Sequence, residues 1–392
     1  MDAPKLSPAV FAAIRDGTTA QRLYLFRNSK LGPLYFAIYY FPHFFTHKFA
    51  PFHYDFVEDI RGLLSGELDE VHWVGFRESA KTSIAKVCLI TYAICFNLES
   101  YIVVDSYDSA NAEATLFDIS QELMTNKKLV SDFGRLYTKR RRSQAEEEEE
   151  GTEVKRMATF TTRNKVKVEA NSTGRSLRGR LYRHKRPGLF LIDDVENEIT
   201  KESWAITTKI IAHLNALRGG MGPGAKILYL TNYIQEGGVA TSIMDHVKTL
   251  GRRGRLRNIR LVEDLTTSQD GRMEGTLSWP GRYVMTDKEA VQVNAQEPRV
   301  TRRKISVESK RRTLGERPFM VEMQNEPGAA QDYYFDRERI KELNNESAKH
   351  RKEAEKLSKA EEDRKTAELS ETDRLKVEVD KVNTFVNPEG EK

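Results

Sequence analysis

Short apolar runs alternate with helical patterns along most of the chain. Between residues 51 and 335, each apolar run is followed by polar or turn-forming residues, and the segments between runs carry apolar residues at helical spacing. Buried parallel strands have such continuous apolar runs because both of their faces pack against crossover helices. The pattern therefore predicts an α/β fold with a mostly parallel central sheet flanked by helices. The predicted strands are 71–75, 101–105, 165–170, 189–193 and 226–231.

Three segments depart from this alternation. Residues 1–50 are rich in aromatic residues and predict a helical lead-in ahead of a domain at 51–335. Residues 336–392 are rich in Lys, Glu, Arg and Ala with sparse apolar positions, which predicts a long charged helix, or helix plus disorder, without a core of its own. Residues 138–158 run from a basic cluster into consecutive glutamates, and such blocks of like charge are typical of a solvated insertion.

Composition narrows the class of protein. The 63 Lys and Arg against 58 Asp and Glu leave a net charge of +5, but the positive charge is clustered, and clustering decides what a surface attracts. Cys88 and Cys95 lie in one apolar run, which excludes a disulfide framework and predicts reduced core residues of a cytosolic protein. The longest apolar runs are too short to span a bilayer, and residues 1–5 lack the order of a signal peptide, so we expect no membrane association.

The segment after the first predicted strand has the spacing of a phosphate-binding loop, G-x-x-x-x-G-K-[ST], with Ala80 in place of the second glycine. Lys81 would reach the terminal phosphate and the Thr82 hydroxyl would ligate Mg²⁺, while the predicted helix 83–96 would point its N-terminus at the anion. A Cβ at position 80 predicts a negative φ there. The residues predicted to bind the nucleotide are Gly75, Arg77, Glu78, Ser79, Ala80, Lys81, Thr82 and Ser83.

The strand 189–193 runs directly into acidic residues, as in the Walker B motif. Asp193 is predicted to hold Mg²⁺, and Asp194 is the first choice for the catalytic base, with Glu196 the second. Thr231 and Asn232 end the next strand and are predicted to sense the γ-phosphate. The cofactors expected are ATP and Mg²⁺; the alternative is an ordinary strand end capped by acids.

Three basic clusters lie outside the predicted strands, at 174–186, 251–260 and 299–312. They are rich in arginine with little aromatic interleaving, which favours sequence-independent contact with the phosphates of double-stranded DNA over stacking on bases. The alternative for any one cluster is solubility.

The ordered set of motifs resembles the ATPase half of the tailed-phage terminase large subunit, over about residues 50–335. The stretches that carry the resemblance are 50–53, 75–82, 174–196, 230–232 and 319–327. The resemblance implies a P-loop NTPase of the additional-strand class that hydrolyses ATP to translocate DNA into a procapsid. It also implies Arg77 and Arg178 as charge stabilisers in cis and in trans, with Arg180 and Arg183 competing for the trans role.

The same resemblance implies partners: a homo-oligomeric ring, the portal protein and the terminase small subunit, in the host cytoplasm and transiently docked on the procapsid. The family usually continues into a nuclease, but no apolar strand ending in Asp follows Phe335. We therefore expect no nuclease activity from this chain; a separate nuclease chain, or a fragmentary sequence, would explain the difference. Two other readings stay open, a helicase-like DNA translocase and a nucleotide-gated assembly or DNA-binding module with little turnover.

Overall fold

The structure, a computed structural model, describes residues 8–138, 157–196, 203–268 and 272–327. The predicted tail, 336–392, lies outside these ranges. So does the predicted insertion, 138–158, apart from its first residue and its last two.

Within the described ranges, four helices precede the first strand, and strands and helices are interleaved from β1 onward. The helices are α1 (Pro8–Asp16), α2 (Thr19–Asn28), α3 (Gly32–Tyr40), α4 (Pro51–Ser65), α5 (Lys81–Ile84), which continues through a π-helical stretch (Ala85–Thr91) into α6 (Tyr92–Cys95), α7 (Ser109–Thr125), α8 (Lys127–Phe133), α9 (Trp204–Gly220), α10 (Val239–Thr249), α11 (Asp287–Ala295), α12 (Val307–Leu314) and α13 (Glu316–Gln324). The strands are β1 (Glu70–Gly75), β2 (Tyr101–Ser106), β3 (Thr159–Thr161), β4 (Lys167–Ser172), β5 (Leu189–Asp193), β6 (Lys226–Thr231), β7 (Gly254–Ile259), β8 (Val262–Thr267), β9 (Met273–Leu277), β10 (Tyr283–Val284) and β11 (Ile305–Ser306).

A seven-stranded sheet in the order β3-β4-β2-β5-β6-β1-β7 forms the centre of the fold. All neighbours in it are parallel except β3 and β4. Side chains alternate between its faces: Leu189 and Leu191 pack in one apolar cluster, and Phe190 and Ile192 in another. The predicted mixed α/β fold with a mostly parallel sheet flanked by helices is confirmed.

The sequence placed one strand two residues too early and missed both edge strands of the sheet. The expected strand 165–170 is β4, which begins at Lys167 because Lys165 has a left-handed φ of 68° in a tight turn. In that turn Thr162 N donates to Val166 O at 2.9 Å, which joins β3 to β4 as a hairpin. β7 lies within the predicted basic cluster 251–260 and pairs with β1. The sequence did not predict β7 because this strand is rich in arginine, and an edge strand needs few apolar residues.

The crossover helix after β1 passes through the core. Cys88 and Cys95 are buried and unbonded to each other, as their apolar surroundings predicted, and burial raises the pKa of both thiols. In the π-helical stretch Thr91 Oγ1 donates to Lys86 O at 2.8 Å, a bond that spans five residues. No helix in the described part of the chain is long and apolar enough to cross a membrane.

The three N-terminal helices join the same apolar cluster as the sheet, mainly through aromatic residues such as Phe26 and Phe36. One buried ion pair fixes them to α8. Asp132 accepts hydrogen bonds from Arg22 at 3.0 Å and from the Tyr40 hydroxyl at 2.6 Å, and the side chains of Arg22 and Asp132 are 8% and 3% exposed. Burial opposes the charge on Asp132, but these donors hold its pKa below the usual range.

We expect Asp132→Asn to lower the free energy of unfolding by about 3 kcal/mol, because it leaves the Arg22 guanidinium buried without its counter-ion. Urea unfolding measures the change. Asp16→Asn is the matched control, since Asp16 pairs with Arg15 at an exposed site, where solvent screens the pair, and should change stability far less. Equal losses of unfolding free energy in the two variants would contradict a stabilising role for the buried pair of Arg22 and Asp132.

Candidate functional site

The carboxyl ends of β5, β6 and β1, neighbours in the sheet, bring several predicted residues together. The Lys81 side chain is the centre of this arrangement. Its Nζ donates to Gly75 O at 3.1 Å and to Asn232 Oδ1 at 2.6 Å. A lysine in this position joins the loop after β1 to the residue that follows β6.

Asp193, the last residue of β5, lies beside Lys81 and is 8% exposed. Burial and the neighbouring Asp194 carboxylate raise the pKa of Asp193 above its usual range, whereas Lys81 and a hydrogen bond with the Thr82 side chain oppose this rise. Burial lowers the pKa of Lys81, and both aspartates oppose that shift. The three groups are therefore close enough to interact electrostatically.

The oxygen atoms at this point fit Mg²⁺. Asp193 Oδ1 is buried and has no hydrogen-bond partner among the described residues, and the Thr82 hydroxyl is beside the same carboxylate. Mg²⁺ favours oxygen ligands and often takes one or two from the protein, the others coming from phosphate and water. No group of three or more His, Cys, Asp or Glu side chains in the described ranges is arranged to hold a metal. An ion held by Thr82 and Asp193 would take its other ligands from phosphate and water.

The loop between β1 and α5 contradicts the expected backbone at Ala80. Its φ is +64°, and that of Glu78 is +69°, so both residues are left-handed. This conformation costs an L-residue about 1–2 kcal/mol. Gly75 is needed for a different reason, namely space: a Cβ there would lie 3.0 Å from Ser79 Oγ and 3.3 Å from Lys81 Cδ. The loop keeps its path with an alanine in place of the second glycine, at a cost in backbone strain.

We expect Ala80→Gly to raise the free energy of unfolding by about 0.5–1 kcal/mol, because glycine adopts the positive φ without strain. Thermal or urea unfolding would measure the gain. Ala85→Gly is the control: Ala85 has a helical φ of −62°, so glycine should destabilise by about 1 kcal/mol. Destabilisation by Ala80→Gly would show that the left-handed backbone at position 80 is not the state in solution.

The charged residues inside the loop bind to the C-terminal part of the described chain. Arg77, whose side chain is 63% exposed, donates through Nη1 to Glu322 at 2.9 Å. Glu78 accepts from Lys310 Nζ at 2.6 Å and from Arg282 Nη2 at 2.9 Å. Burial would raise the pKa of Glu78, but these cations lower it below the usual range. From the sequence, Lys310 belongs to the basic cluster 299–312, as a contact for DNA phosphates, and Arg282 is not singled out; neither residue is linked to the loop, because nothing near them in the chain indicates it.

An aromatic cavity of about 220 Å³ lies against the loop. Its lining includes Phe44, Phe45, Phe49, His53, Trp279 and Arg282, together with Glu78, Ala80 and Ser83 of the loop region. Burial lowers the pKa of His53 to about 3, so its ring is neutral. Its Nδ1 accepts from Ala50 N at 2.8 Å, and Nε2 therefore donates to Ser79 O at 3.1 Å. Such a cavity suits a planar ring attached to a phosphate chain.

A second cavity, of about 240 Å³, is lined by Asp193 and Asp194. Its polar lining comprises Thr82, Lys86, Ser106, Asn111, Thr115, Asp193 and Asp194. Lys86 also donates to Asp118 at 3.0 Å. This cavity gives water access to the two aspartates.

The two candidates for the catalytic base differ in their surroundings. Asp194 is exposed and has a φ of +51°, and its carbonyl accepts from Tyr107 N at 3.1 Å. The Glu196 carboxylate caps α10, because it accepts from Val239 N at 2.9 Å and from Ala240 N at 3.3 Å. Glu196 thus has a structural role that the sequence did not predict.

The arginines predicted to act in trans lie in the segment between β4 and β5. The Arg178 backbone packs against Gly220, where α9 ends before the amino end of β6. Arg180 forms an ion pair with Glu169. Arg183 and His184 form a two-residue hairpin turn with positive φ at both positions, 49° and 65°. Exposed basic residues cover this loop, namely Arg175, Arg178, Arg183, His184, Lys185 and Arg186; it is called the basic hairpin below.

The predicted basic cluster 251–260 is partly neutralised. Arg257 donates to both oxygens of Asp59, at 2.9 and 2.8 Å, and Arg253 pairs with Asp69. Arg255 approaches Asp59 at 3.9 Å. These arginines attach β7 to the elements before it, which the spacing of the sequence could not reveal.

Comparison with known proteins found little. No protein-family model matches the chain, and no curated protein matches it. Among solved structures it is similar to the large terminase of bacteriophage HK97, with 13% sequence identity and a TM-score of 0.41 over 71% of this chain and 51% of that one. The chain thus spans about half the length of that structure. At these values the likeness establishes neither a family nor an activity.

Proposed function

We propose that the chain is an ATP-hydrolysing motor subunit of a viral terminase, which translocates double-stranded DNA into a procapsid. The observation that carries this proposal is the position of Lys81 between Gly75 O and Asn232 Oδ1, beside the buried Asp193. A strand, a loop, a lysine and a second strand ending in a carboxylate are the parts that phosphoryl transfer requires. The ordered terminase-like motifs extend the proposal from hydrolysis to DNA packaging.

ATP would bind along the loop after β1. The loop N–H groups and Lys81 would hold the β- and γ-phosphates, and the N-terminus of α5 would add its partial positive charge. The adenine ring would enter the aromatic cavity, where Trp279 and the phenylalanines offer stacking surfaces. Because Asn232 bonds to Lys81, Asn232 would register a change at the γ-phosphate.

Thr82 and Asp193 would hold Mg²⁺, which supplies charge neutralisation between the phosphates when it is bound. Asp194 is the better placed base, because it is exposed and lines the cavity through which water reaches the site. Glu196 is the weaker choice since the N-terminus of α10 engages its carboxylate.

Arg77 would stabilise charge on the γ-phosphate in cis after exchanging Glu322 for the phosphate. Arg178 would act in trans, on the site of a neighbouring subunit, because it is exposed and its backbone lies beside Gly220 at the end of α9. Arg183 is the alternative, whereas Arg180 is engaged by Glu169. A trans role requires a homo-oligomeric ring, which we propose assembles on the portal protein of a procapsid in the host cytoplasm, with a small subunit and a separate nuclease chain as partners.

We expect Lys81→Ala to abolish release of phosphate from ATP and to weaken ATP binding, because Lys81 is the buried loop cation that would hold the β- and γ-phosphates, whereas Arg77 is paired with Glu322. Phosphate release with and without duplex DNA, plus fluorescence titration with an ATP analogue, measures both effects. Lys248→Ala is the matched control, since Lys248 is exposed and pairs with Asp245. Wild-type turnover by Lys81→Ala would refute the site.

The Asp194→Asn variant should still bind ATP but should no longer hydrolyse it.

Duplex DNA would contact the basic hairpin, where six basic side chains are exposed on one loop. Such contacts depend on salt because each neutralised phosphate releases counter-ions. We expect replacement of Arg178, Arg183 and Arg186 by Ala to flatten the log–log salt slope of DNA binding by about 2.7, at about 0.9 per contact.

The comparison set for this measurement is Arg252, Arg253 and Arg255 replaced by Ala. It should change the slope less, because carboxylates already neutralise Arg253 and lie near Arg255. Fluorescence anisotropy over a range of salt concentrations would give both slopes. An unchanged slope in the hairpin variant, or strong preference for one sequence, would exclude this surface.

The strained Ala80 favours one other candidate, a nucleotide-gated module that binds ATP with little turnover. The same phosphate-release assay distinguishes this gated module from the ATP-hydrolysing motor. Tight, Lys81-dependent binding without release of phosphate, with or without DNA, would support the gated module.

A further inference from the structure

A buried histidine in the middle of β1 has a specific polar partner. His72 is fully buried, and its Nε2 lies 2.7 Å from Thr231 Oγ1. The two residues are 159 positions apart and meet because β1 and β6 pair in parallel. Its neighbours along the strand, Val71 and Trp73, are apolar core residues. A buried imidazole in such a strand is unusual unless its hydrogen bond is needed.

The other ring nitrogen defines the tautomer. His72 Nδ1 is buried and has no hydrogen-bond partner among the described residues. Burial lowers the pKa of His72 to about 3, so the ring is neutral and carries one proton. A buried N–H without a partner is rarer than a buried acceptor without one. The proton therefore belongs on Nε2, which donates to Thr231 Oγ1 and leaves the hydroxyl hydrogen of Thr231 available to another acceptor.

This bond lies one residue from the lysine contact. Thr231 is the last residue of β6 and is 4% exposed, and the next residue, Asn232, accepts from Lys81 Nζ at 2.6 Å. The hydrogen bond that holds the Thr231 side chain also holds the backbone at the end of β6. The backbone at this position sets the direction in which the Asn232 side-chain amide points toward Lys81.

We propose that His72 is a positioning residue that, through Thr231, holds Asn232 against the Lys81 ammonium. This inference rests on the proposed ATPase function. ATP would bind mainly through the loop and the aromatic cavity, whose lining does not include His72. Loss of the His72 bond should therefore slow the chemical step and leave ground-state binding almost unchanged.

The test compares kcat with ATP affinity in His72→Phe, which keeps a buried ring of similar size and removes the hydrogen bond. We expect kcat to fall about tenfold, the effect of one misaligned hydrogen bond, with the Kd for ATP within about twofold. Thr231→Val should have the same effect, Thr231→Ser should keep most activity, and the double variant His72→Phe, Thr231→Val should be no slower than either single variant.

Tyr229→Phe is the matched control on the same strand pair. It removes a buried hydroxyl that bonds to Glu70 at 2.7 Å, away from the phosphate loop, and should leave kcat unchanged. Thermal unfolding of each variant shows whether it is folded. A purely structural histidine would lower the melting temperature without changing kcat per folded molecule, and that result would overturn the proposal.

A second readout does not depend on turnover. The ¹⁵N spectrum of histidine-labelled protein, assigned with His72→Phe, should show His72 as the Nε2–H tautomer from pH 5 to 8, and Thr231→Val should shift that signal. An Nδ1–H tautomer, or no response to Thr231→Val, would overturn the proposal. If wild-type protein lacks Lys81-dependent turnover, the proposed function fails; if turnover is present and His72→Phe matches wild type, the positioning role alone fails.

Discussion

The buried ammonium of Lys81 is the constraint on which the carboxyl edge of the sheet depends. A charge in such a place is unfavourable unless polar atoms surround it. Gly75 O, Asn232 Oδ1 and the nearby Asp193 carboxylate compensate the charge, and they come from the ends of three neighbouring strands. The strand order, the path of the loop and the bond between His72 and Thr231 all serve to bring these groups to one point.

The parts outside the central sheet act on the same point. The N-terminal aromatic segment and Trp279 form the cavity beside the loop, and Arg77 and Glu78 are held by ion pairs to the region that follows β9. The buried pair of Arg22 and Asp132 fixes the N-terminal helices to the domain. The loop after β1 is thus supported from both ends of the described chain, and its geometry reflects long-range contacts more than local sequence.

Sequence predicted what depends on local pattern. The continuous apolar runs identified the buried strands, and the strand, loop and helix around Gly75, Lys81 and Thr82 follow in the predicted order. The role of these residues in nucleotide binding stays a prediction. The sequence did not predict features that depend on contacts with distant parts of the chain. These are the sign of φ at Ala80, the arginine-rich edge strand β7 and the capping of α10 by Glu196. The bond of His72 to Thr231 belongs to this group, since no pattern near either residue indicates the other.

The place of β1 in the sheet has a consequence for how the chain acquires its shape. β1 pairs with β6 on one side and β7 on the other, and both partners follow much later in the chain. Contacts between such distant segments form slowly, because a long loop must close before they contribute free energy. During synthesis, a chain that has emerged only as far as β5 has the loop after β1 but neither neighbour of β1. The unpaired edges of β1 are then open to association with other chains until translation passes residue 259.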